Sequence, residues 1–151
     1  MDIASISAVV ASIGVIVGVV LAILELRNIT KTRQMELIMR LYSTFIAKEF
    51  QDAYEAFWTA DFEGYSEVVR KGHLIRLRTI GGFFEGIGVL LYRKLVDIRL
   101  VDDLFRESIK VMWEKAKAPL CDARQRFNIP SYGRYFEYLY TELQKREQTQ
   151  Q

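Results

Sequence analysis

Hydrophobic residues are spread unevenly along this chain, and the first 24 residues hold the most uniform stretch. Between Ile3 and Leu24 no residue is ionisable: 13 of these 22 residues are Ile, Leu or Val, and the other nine are Ala, Ser or Gly. As an α-helix rising about 1.5 Å per residue, the stretch would extend roughly 33 Å, enough to cross a hydrocarbon core of about 30 Å. The pattern predicts a transmembrane helix.

Beyond this stretch the apolar residues adopt a helical period. Between residues 38 and 57 they recur every three or four positions, opposite a charged face. No Pro or Gly separates Leu24 from Thr59, so the membrane helix is predicted to continue into this amphipathic helix, loosened around residues 28–30. The apolar side is predicted to form half of a domain core. The alternative is that it rests on the membrane surface or on a partner.

The same period continues towards the C-terminus in segments separated by turn signals. These segments predict a short helix capped by Ser66 and ending near Gly72, a helix from His73 to Leu95, and a helix from Ile98 to Lys117 capped by Asp97. Pro119 is predicted to end or kink that helix. A shorter piece from Leu120 to Phe127 follows, and then a last helix capped by Ser131 that frays from Gln144. The predicted fold is therefore all-α, with one N-terminal transmembrane helix continuing into a cytoplasmic bundle of four or five helices.

Composition separates the anchor from the rest of the chain. All 21 Lys and Arg and 18 of the 19 acidic residues follow Leu24, a net charge of +3 that is too small to indicate a nucleic-acid partner. All aromatic residues also follow it, beginning with Tyr42, which is typical of a folded core. We therefore predict an anchor at residues 1–27, a helical domain at 28–145 and a polar tail at 146–151.

Charges beside the predicted membrane helix indicate its orientation. No basic residue precedes the apolar run and no small-residue cleavage pattern ends it, which argues against a signal peptide. Arg27, Lys31 and Arg33 follow the run, so the positive-inside rule puts the N-terminus outside and the domain in the cytoplasm, with these three residues near lipid head groups. The single cysteine, Cys121, excludes an intrachain disulfide and fits a reducing compartment.

Small residues form one narrow stripe along the predicted membrane helix. Ser7, Ala11, Gly14, Gly18 and Ala22 recur at steps of three or four, and Gly14-x-x-x-Gly18 has the spacing of a helix dimerisation pattern. No Trp or Tyr marks either end of the span. The hypothesis is that this face packs against another helix, the alternative being that Gly and Ala are simply common in membrane helices.

A cluster of glycines lies inside the helix predicted from His73. Gly81, Gly82, Gly86 and Gly88 superficially resemble a phosphate-binding loop, but such a loop needs a preceding strand and none is predicted. Close helix packing is the preferred explanation of the glycines. Glu85, which follows two phenylalanines, is predicted to be partly buried and to need a basic or hydrogen-bonding partner. A buried ion pair is favoured over a role as a general base.

The chain offers few groups for catalysis. With one histidine and one cysteine, a Cys/His zinc cluster, a His-pair metal motif and a paired-cysteine site cannot form within one chain. Cys121 is predicted to be a small buried apolar residue. Acidic residues such as Asp102 and Glu107 are predicted to be solvated or ion-paired, and the Glu-x-x-His repeats of di-metal bundles do not occur. No catalytic, cofactor-binding or metal residue is predicted.

Several segments together resemble a known family. They are FFEGIGVLLYRKLVD (83–97), LVDDLF (100–105), Trp113 followed by Pro119 and Arg124, and YGRYFEYL (132–139). The pattern is similar to that of a prokaryotic family of small helical domains of unknown function, commonly fused to one N-terminal membrane helix. The resemblance implies a membrane-anchored helical bundle and leaves the chemistry of the protein open, because the family has no established activity.

These observations predict a non-catalytic accessory or regulatory subunit. It would dock onto a larger integral membrane protein complex through its transmembrane helix and its helical domain, in contact with the bilayer and not with nucleic acid. The alternatives are a self-associating membrane scaffold and a membrane-bound enzyme.

Overall fold

The computed structural model describes residues 3–150, and these residues form helices connected by turns, with no strand. The helices are α1 (Ile3–Ile46), α2 (Lys48–Trp58), α3 (Tyr65–Arg70), α4 (Leu74–Tyr92), α5 (Ile98–Phe127) and α6 (Arg134–Gln150). The prediction of an all-α chain is confirmed. The chain divides into two units, residues 1–37 and residues 38–151.

The first unit contains the apolar part of α1. This helix is long and apolar enough to cross a membrane, and no residue of its most apolar window is buried. The predicted loosening at residues 28–30 is wrong, because α1 continues through them. The hydroxyl of Thr30 donates to the carbonyl of Leu26 at 2.9 Å, so this polar residue is satisfied within the helix.

A short break separates α1 from α2, although a continuous helix was predicted. Ala47 has an extended backbone (φ −61°, ψ 139°) between the two helices. The side chain of Gln51 donates to the carbonyl of Phe45 at 2.6 Å, which satisfies a group at the end of α1. The ring of Phe45 packs against Phe50 and Phe83, with ring centroids 5.5 and 6.0 Å apart.

Aromatic side chains from several helices fill the core of the second unit. Phe136 stacks on Phe84 at 5.0 Å and meets the edge of Trp113 at 5.1 Å, joining α4, α5 and α6. The amphipathic segment contributes Phe50 and Phe57, which are both buried. The prediction that its apolar side belongs to the core is confirmed for these two residues and for Ile38, but it is wrong for Met39 and Ile46, which are exposed.

Pro119 was predicted to end or kink a helix, and it does not end one. It lies inside α5, which is continuous over 30 residues. An internal proline costs a helix about 3 kcal/mol. Ala116, Leu120 and Ala123 around it are buried together with Pro119 itself. Burial on both sides of the proline holds the two halves of α5 in one helix.

Three helices end in the same hydrogen-bond arrangement, in which a left-handed residue follows the helix. After α4, Leu95 donates to the carbonyl of Leu90 and Lys94 donates to that of Leu91, both at 2.9 Å. The left-handed residues are Gly72, Lys94 and Asn128. Glycine adopts this conformation without steric cost, and the short helix does end near Gly72, as predicted.

The helix starts depend on both local and distant caps. The Asp97 carboxylate accepts from the backbone of Arg99 at 2.8 Å, which confirms the predicted cap of α5. The predicted Ser66 cap is wrong, because α3 begins at Tyr65 and its first N–H donates to Asp122 at 2.8 Å. Ser131 precedes α6 by three residues and accepts from Arg134 through its carbonyl oxygen rather than its side chain.

Candidate functional site

The helix pair α4 and α6 carries the residues that sequence reasoning selected in the domain. At Gly88 the two helices approach so closely that an added Cβ atom would lie 2.0 Å from the carbonyl oxygen of Tyr135. The prediction of close packing is confirmed at this glycine. It is wrong for Gly81, Gly82 and Gly86, where an added Cβ would meet nothing within 4 Å.

Glu85 lies three residues before Gly88 and is half-buried. Its Oε2 atom accepts a hydrogen bond of 2.7 Å from the backbone N–H of Phe136, the third residue of α6. A carboxylate here satisfies one of the unpaired amides of the helix start and interacts favourably with the positive end of its dipole. The prediction of an ion pair at Glu85 is therefore wrong. Glu85 of α4 instead caps the N-terminus of α6.

The buried ion pair of the described residues lies at Asp102 instead. Asp102 is 6% exposed. Arg106 donates to both of its oxygens, one contact being 2.6 Å, and Nε of Arg146 donates to Oδ2 at 2.9 Å. The hydrogen bond from Arg106 lowers the pKa of Asp102, against the opposing effect of burial and with help from Arg146. Asp102 joins α5 to α6, and both its oxygens are engaged.

The Asp102 pair also corrects the prediction for the C-terminal segment. α6 continues to Gln150 rather than fraying from Gln144. Arg146 is held by Asp102, and Glu147 pairs with Lys110 of α5 at 3.0 Å. The segment expected to be a polar tail therefore supplies part of the contact between α5 and α6.

A turn between α5 and α6 is held in place by Arg124. Its Nε donates to the carbonyl of Tyr132 at 2.7 Å, and its Nη2 lies 2.7 Å from the carboxylate of Glu137. Gly133 in this turn has φ +68°, and an added Cβ would lie 3.0 Å from Leu120. A glycine is therefore required here both by the backbone and by the packing.

This turn and two of the open glycines, Gly81 and Gly82, border a cavity of about 300 Å³. α4 forms one side, while α5, the turn and the start of α6 form the others. The residues that line it are Leu77, Arg78, Gly81, Gly82, Glu85, Leu120, Ile129, Ser131, Tyr132, Gly133 and Phe136. The cavity combines apolar walls, open helix backbone and the Glu85 carboxylate.

A second surface on the same two helices consists of Tyr92, Arg134, Tyr135 and Tyr138, and we refer to it as the tyrosine surface. The ring of Tyr92 lies 5.4 Å from that of Tyr135 and 5.5 Å from that of Tyr138. The guanidinium of Arg134 lies over the Tyr135 ring at 4.8 Å. Tyr92 is 54% exposed. Burial raises the pKa of Tyr138, so its hydroxyl stays neutral at physiological pH.

The small residues and cations of α1 for which interface and lipid roles were predicted make no contact within the described residues that tests those roles. An added Cβ at Gly14 or Gly18 would meet nothing within 4 Å, and Ala11 and Ala22 are exposed. The side chain of Ser7 lies outside the described residues. The cations proposed for lipid head groups, Arg27, Lys31 and Arg33, are exposed. The proposed roles of these residues stay predictions.

Cys121 and His73 are the single cysteine and the single histidine of the chain, and they lie far apart in the sequence, inside α5 and directly before α4. Cys121 is half-buried, in place of the predicted full burial. His73 packs against the ring of Phe62 at 5.2 Å, and its buried Nδ1 has no hydrogen-bond partner. Burial lowers the pKa of His73, as do the nearby Arg76 and Lys71. Among the described residues, no group of three His, Cys, Asp or Glu residues could hold a metal ion.

The fold defines a class: an all-helical domain in a chain whose N-terminal helix is long and apolar enough to cross a membrane. A family described as "Domain of unknown function (DUF4760)" matches residues 12–143, and the chain belongs to this family. The prediction of an uncharacterised helical family is confirmed at that level. Its prokaryotic origin and motif pattern stay predictions. No curated protein and no solved structure matches the chain.

Sequence reasoning named Asp102 as a solvated or ion-paired acid but missed its burial, and it missed the tyrosine surface. The spacing of Asp102 and Arg106, four residues apart, is a recognisable helix ion-pair signal, but burial of the pair depends on α6. The tyrosine surface joins the end of α4 to the start of α6, residues more than 40 positions apart in the sequence. Only the packing of those helices brings its members together.

Proposed function

We propose that this protein is a non-catalytic accessory or regulatory subunit of a larger membrane complex. In this proposal α1 spans the bilayer with the N-terminus outside, and the helical domain lies in the cytoplasm. The basic residues that follow the apolar run support this orientation through the positive-inside rule. The protein docks onto an integral membrane protein through α1 and through the domain.

The tyrosine surface is the observation that carries this proposal. Tyrosine and arginine are enriched among the residues that dominate the binding energy of protein interfaces. Tyr92 is more than half exposed and is held by ring contacts on two sides, so little side-chain entropy remains to be lost on binding. Leu95, which is 53% exposed, extends the apolar character beyond α4.

The small-residue face of α1 supports a second contact inside the membrane. Helix association in lipid depends on close packing, and small residues permit it. Gly14 and Gly18 present open backbone one turn apart. A partner helix packed there would account for the spacing of these glycines.

Affinity purification of the full chain from its native membranes tests the role of the tyrosine surface. Tyr92→Ala is expected to reduce recovery of the partner about fivefold or more, because truncation of a hot-spot aromatic residue costs over about 1 kcal/mol. Trp58→Ala is the matched control, since Trp58 is an aromatic residue of similar exposure, 52%, on α2. Equal recovery with Tyr92→Ala and wild type would overturn docking through this surface.

Self-association is the second candidate, and the Gly14-x-x-x-Gly18 spacing is the observation that favours it. Cysteine introduced at Gly14 would cross-link two copies if α1 forms a homodimer through this face. Recovery of cross-linked homodimer without another membrane protein would favour the scaffold over the accessory subunit.

A further inference from the structure

Three glycines of α4 have no packing partner among the described residues. At Gly81, Gly82 and Gly86 the space beyond the backbone is open, whereas Gly88 is closed by Tyr135. Glycine inside a helix is less favourable than alanine, and it is used where another group approaches the backbone closely. Packing within the domain accounts for Gly88 alone.

Gly81 faces the cavity between α4 and α6. It lies four residues after Leu77 and four before Glu85, so these three residues share one face of α4. All three line the cavity of about 300 Å³. This volume is at the lower end of the range of small-molecule sites, about 300–1,000 Å³. The absence of a side chain at Gly81 keeps the middle of this wall open.

Arg78 and Glu85 are the charged residues that line the cavity, and Glu85 is the anionic one. Its Oε2 is held by the Phe136 N–H, while Oε1 receives no hydrogen bond from the described residues, and no lysine or arginine among them pairs with Glu85. A carboxylate beside apolar walls favours a cationic partner, because those walls replace part of the water that would screen the interaction.

The other side chains that line the cavity determine which groups a bound cation can carry besides its charge. Arg78 lines the cavity but is exposed, and it precedes Glu85 by seven residues, about 10 Å along the helix axis. The hydroxyls of Ser131 and Tyr132 belong to the turn. Apolar walls are formed by Leu77, Leu120, Ile129 and Phe136. A compact apolar body fits between these walls.

We propose that this cavity binds a small organic cation. A primary ammonium group donates to Oε1 of Glu85, and an apolar body lies over Gly81 between Leu77 and Leu120. Binding adds a second interaction to a carboxylate that already caps α6 through its other oxygen. This site is separate from the tyrosine surface and from α1, and it does not depend on the docking role.

Binding of 2-phenylethylammonium to the full chain in detergent micelles tests the proposal, with 3-phenylpropanoate as the charge-reversed probe. Saturation-transfer NMR is expected to show saturable binding of the ammonium at or below about 10 mM and at least about tenfold weaker binding of the carboxylate. Absence of saturable ammonium binding, or equal binding of the two probes, would overturn the proposal.

Two variants locate the site. Gly81→Leu is expected to abolish binding, because its side chain fills the cavity. Gly86→Leu is the matched control: it gains the same helix propensity, has open space beside it and does not line the cavity, so binding should persist. Glu85→Gln keeps an oxygen for the Phe136 N–H but removes the charge, and should weaken binding at least about tenfold. Unchanged affinity in Gly81→Leu or Glu85→Gln would refute the site.

Discussion

The carboxylate of Glu85 lies 2.7 Å from the backbone nitrogen of Phe136, and this contact ties the middle of α4 to the first turn of α6. Glu85→Ala should lower the free energy of unfolding of the domain by about 1 kcal/mol, the usual value of a lost cap. Glu85→Gln retains an acceptor and should lose less. Denaturant unfolding of the full chain, followed by the fluorescence of Trp113 beside Phe136, measures both changes. Equal losses in the two variants would contradict the capping role.

Gly88 is the glycine that packing requires. Gly88→Ala should destabilise the domain by about 1–3 kcal/mol, because its Cβ would overlap the Tyr135 carbonyl and force α4 and α6 apart. Gly86→Ala, on the open side of the same helix, should stabilise it by up to about 1 kcal/mol. Thermal unfolding by circular dichroism compares the two. A Gly88→Ala variant as stable as wild type would show that the helices do not approach as described.

Asp102 should make stability depend on acid pH. Hydrogen bonding from Arg106 lowers the pKa of Asp102 in the folded state, so the unfolded chain binds this proton more readily. The stabilisation is therefore fully present above the unfolded pKa of about 3.9 and is lost as the pH falls through the folded value.

Asp102→Asn should cost about 3 kcal/mol at neutral pH, since it leaves Arg106 and Arg146 without their shared anion. Its stability should also decline less steeply than that of wild type below about pH 4. Asp103→Asn, at the exposed neighbour, should change stability by no more than about 0.5 kcal/mol. Urea unfolding at several pH values tests this, and parallel acid profiles for Asp102→Asn and wild type would argue against a lowered pKa.

His73 should make the stability of the domain depend on pH in a range above that of Asp102. Burial lowers its pKa in the folded state, so the domain favours the neutral ring. Its contribution to stability is full above the unfolded pKa of about 6.5 and declines as the pH falls towards the folded value. His73→Phe should remove this decline, since phenylalanine cannot take a proton. The difference in melting temperature between wild type and variant should shift between pH 7.5 and pH 5, and a constant difference would contradict the prediction.

Local signals in the sequence were sufficient to predict most helices. The apolar period located α4, α5 and α6, and Asp97 capped the helix that directly follows it. Distant caps were not predictable. Tyr65 receives its cap from Asp122 and Phe136 receives its cap from Glu85, more than 50 residues away in each case. Such caps depend on helix packing, which periodicity does not describe.

The candidate sites depended even more on tertiary structure. Glycine spacing alone does not distinguish Gly88, which is closed by Tyr135, from Gly81, which opens onto a cavity. The proline rule describes isolated helices, and it predicted an end or a kink at Pro119. Helix α5 does not end there, because burial on both sides of the proline maintains it. Glu85 was selected correctly as a partly buried acid, but its partner is a backbone amide rather than a cation.

Native mass spectrometry of the full chain, extracted from its own membranes with surrounding lipid, tests the central proposal most directly. An accessory subunit should be recovered in a defined stoichiometric complex with an integral membrane protein. Gly14→Ile with Gly18→Ile should weaken that complex, because the branched side chains separate the helices. Recovery of the wild-type chain alone as a monomer would contradict the proposal.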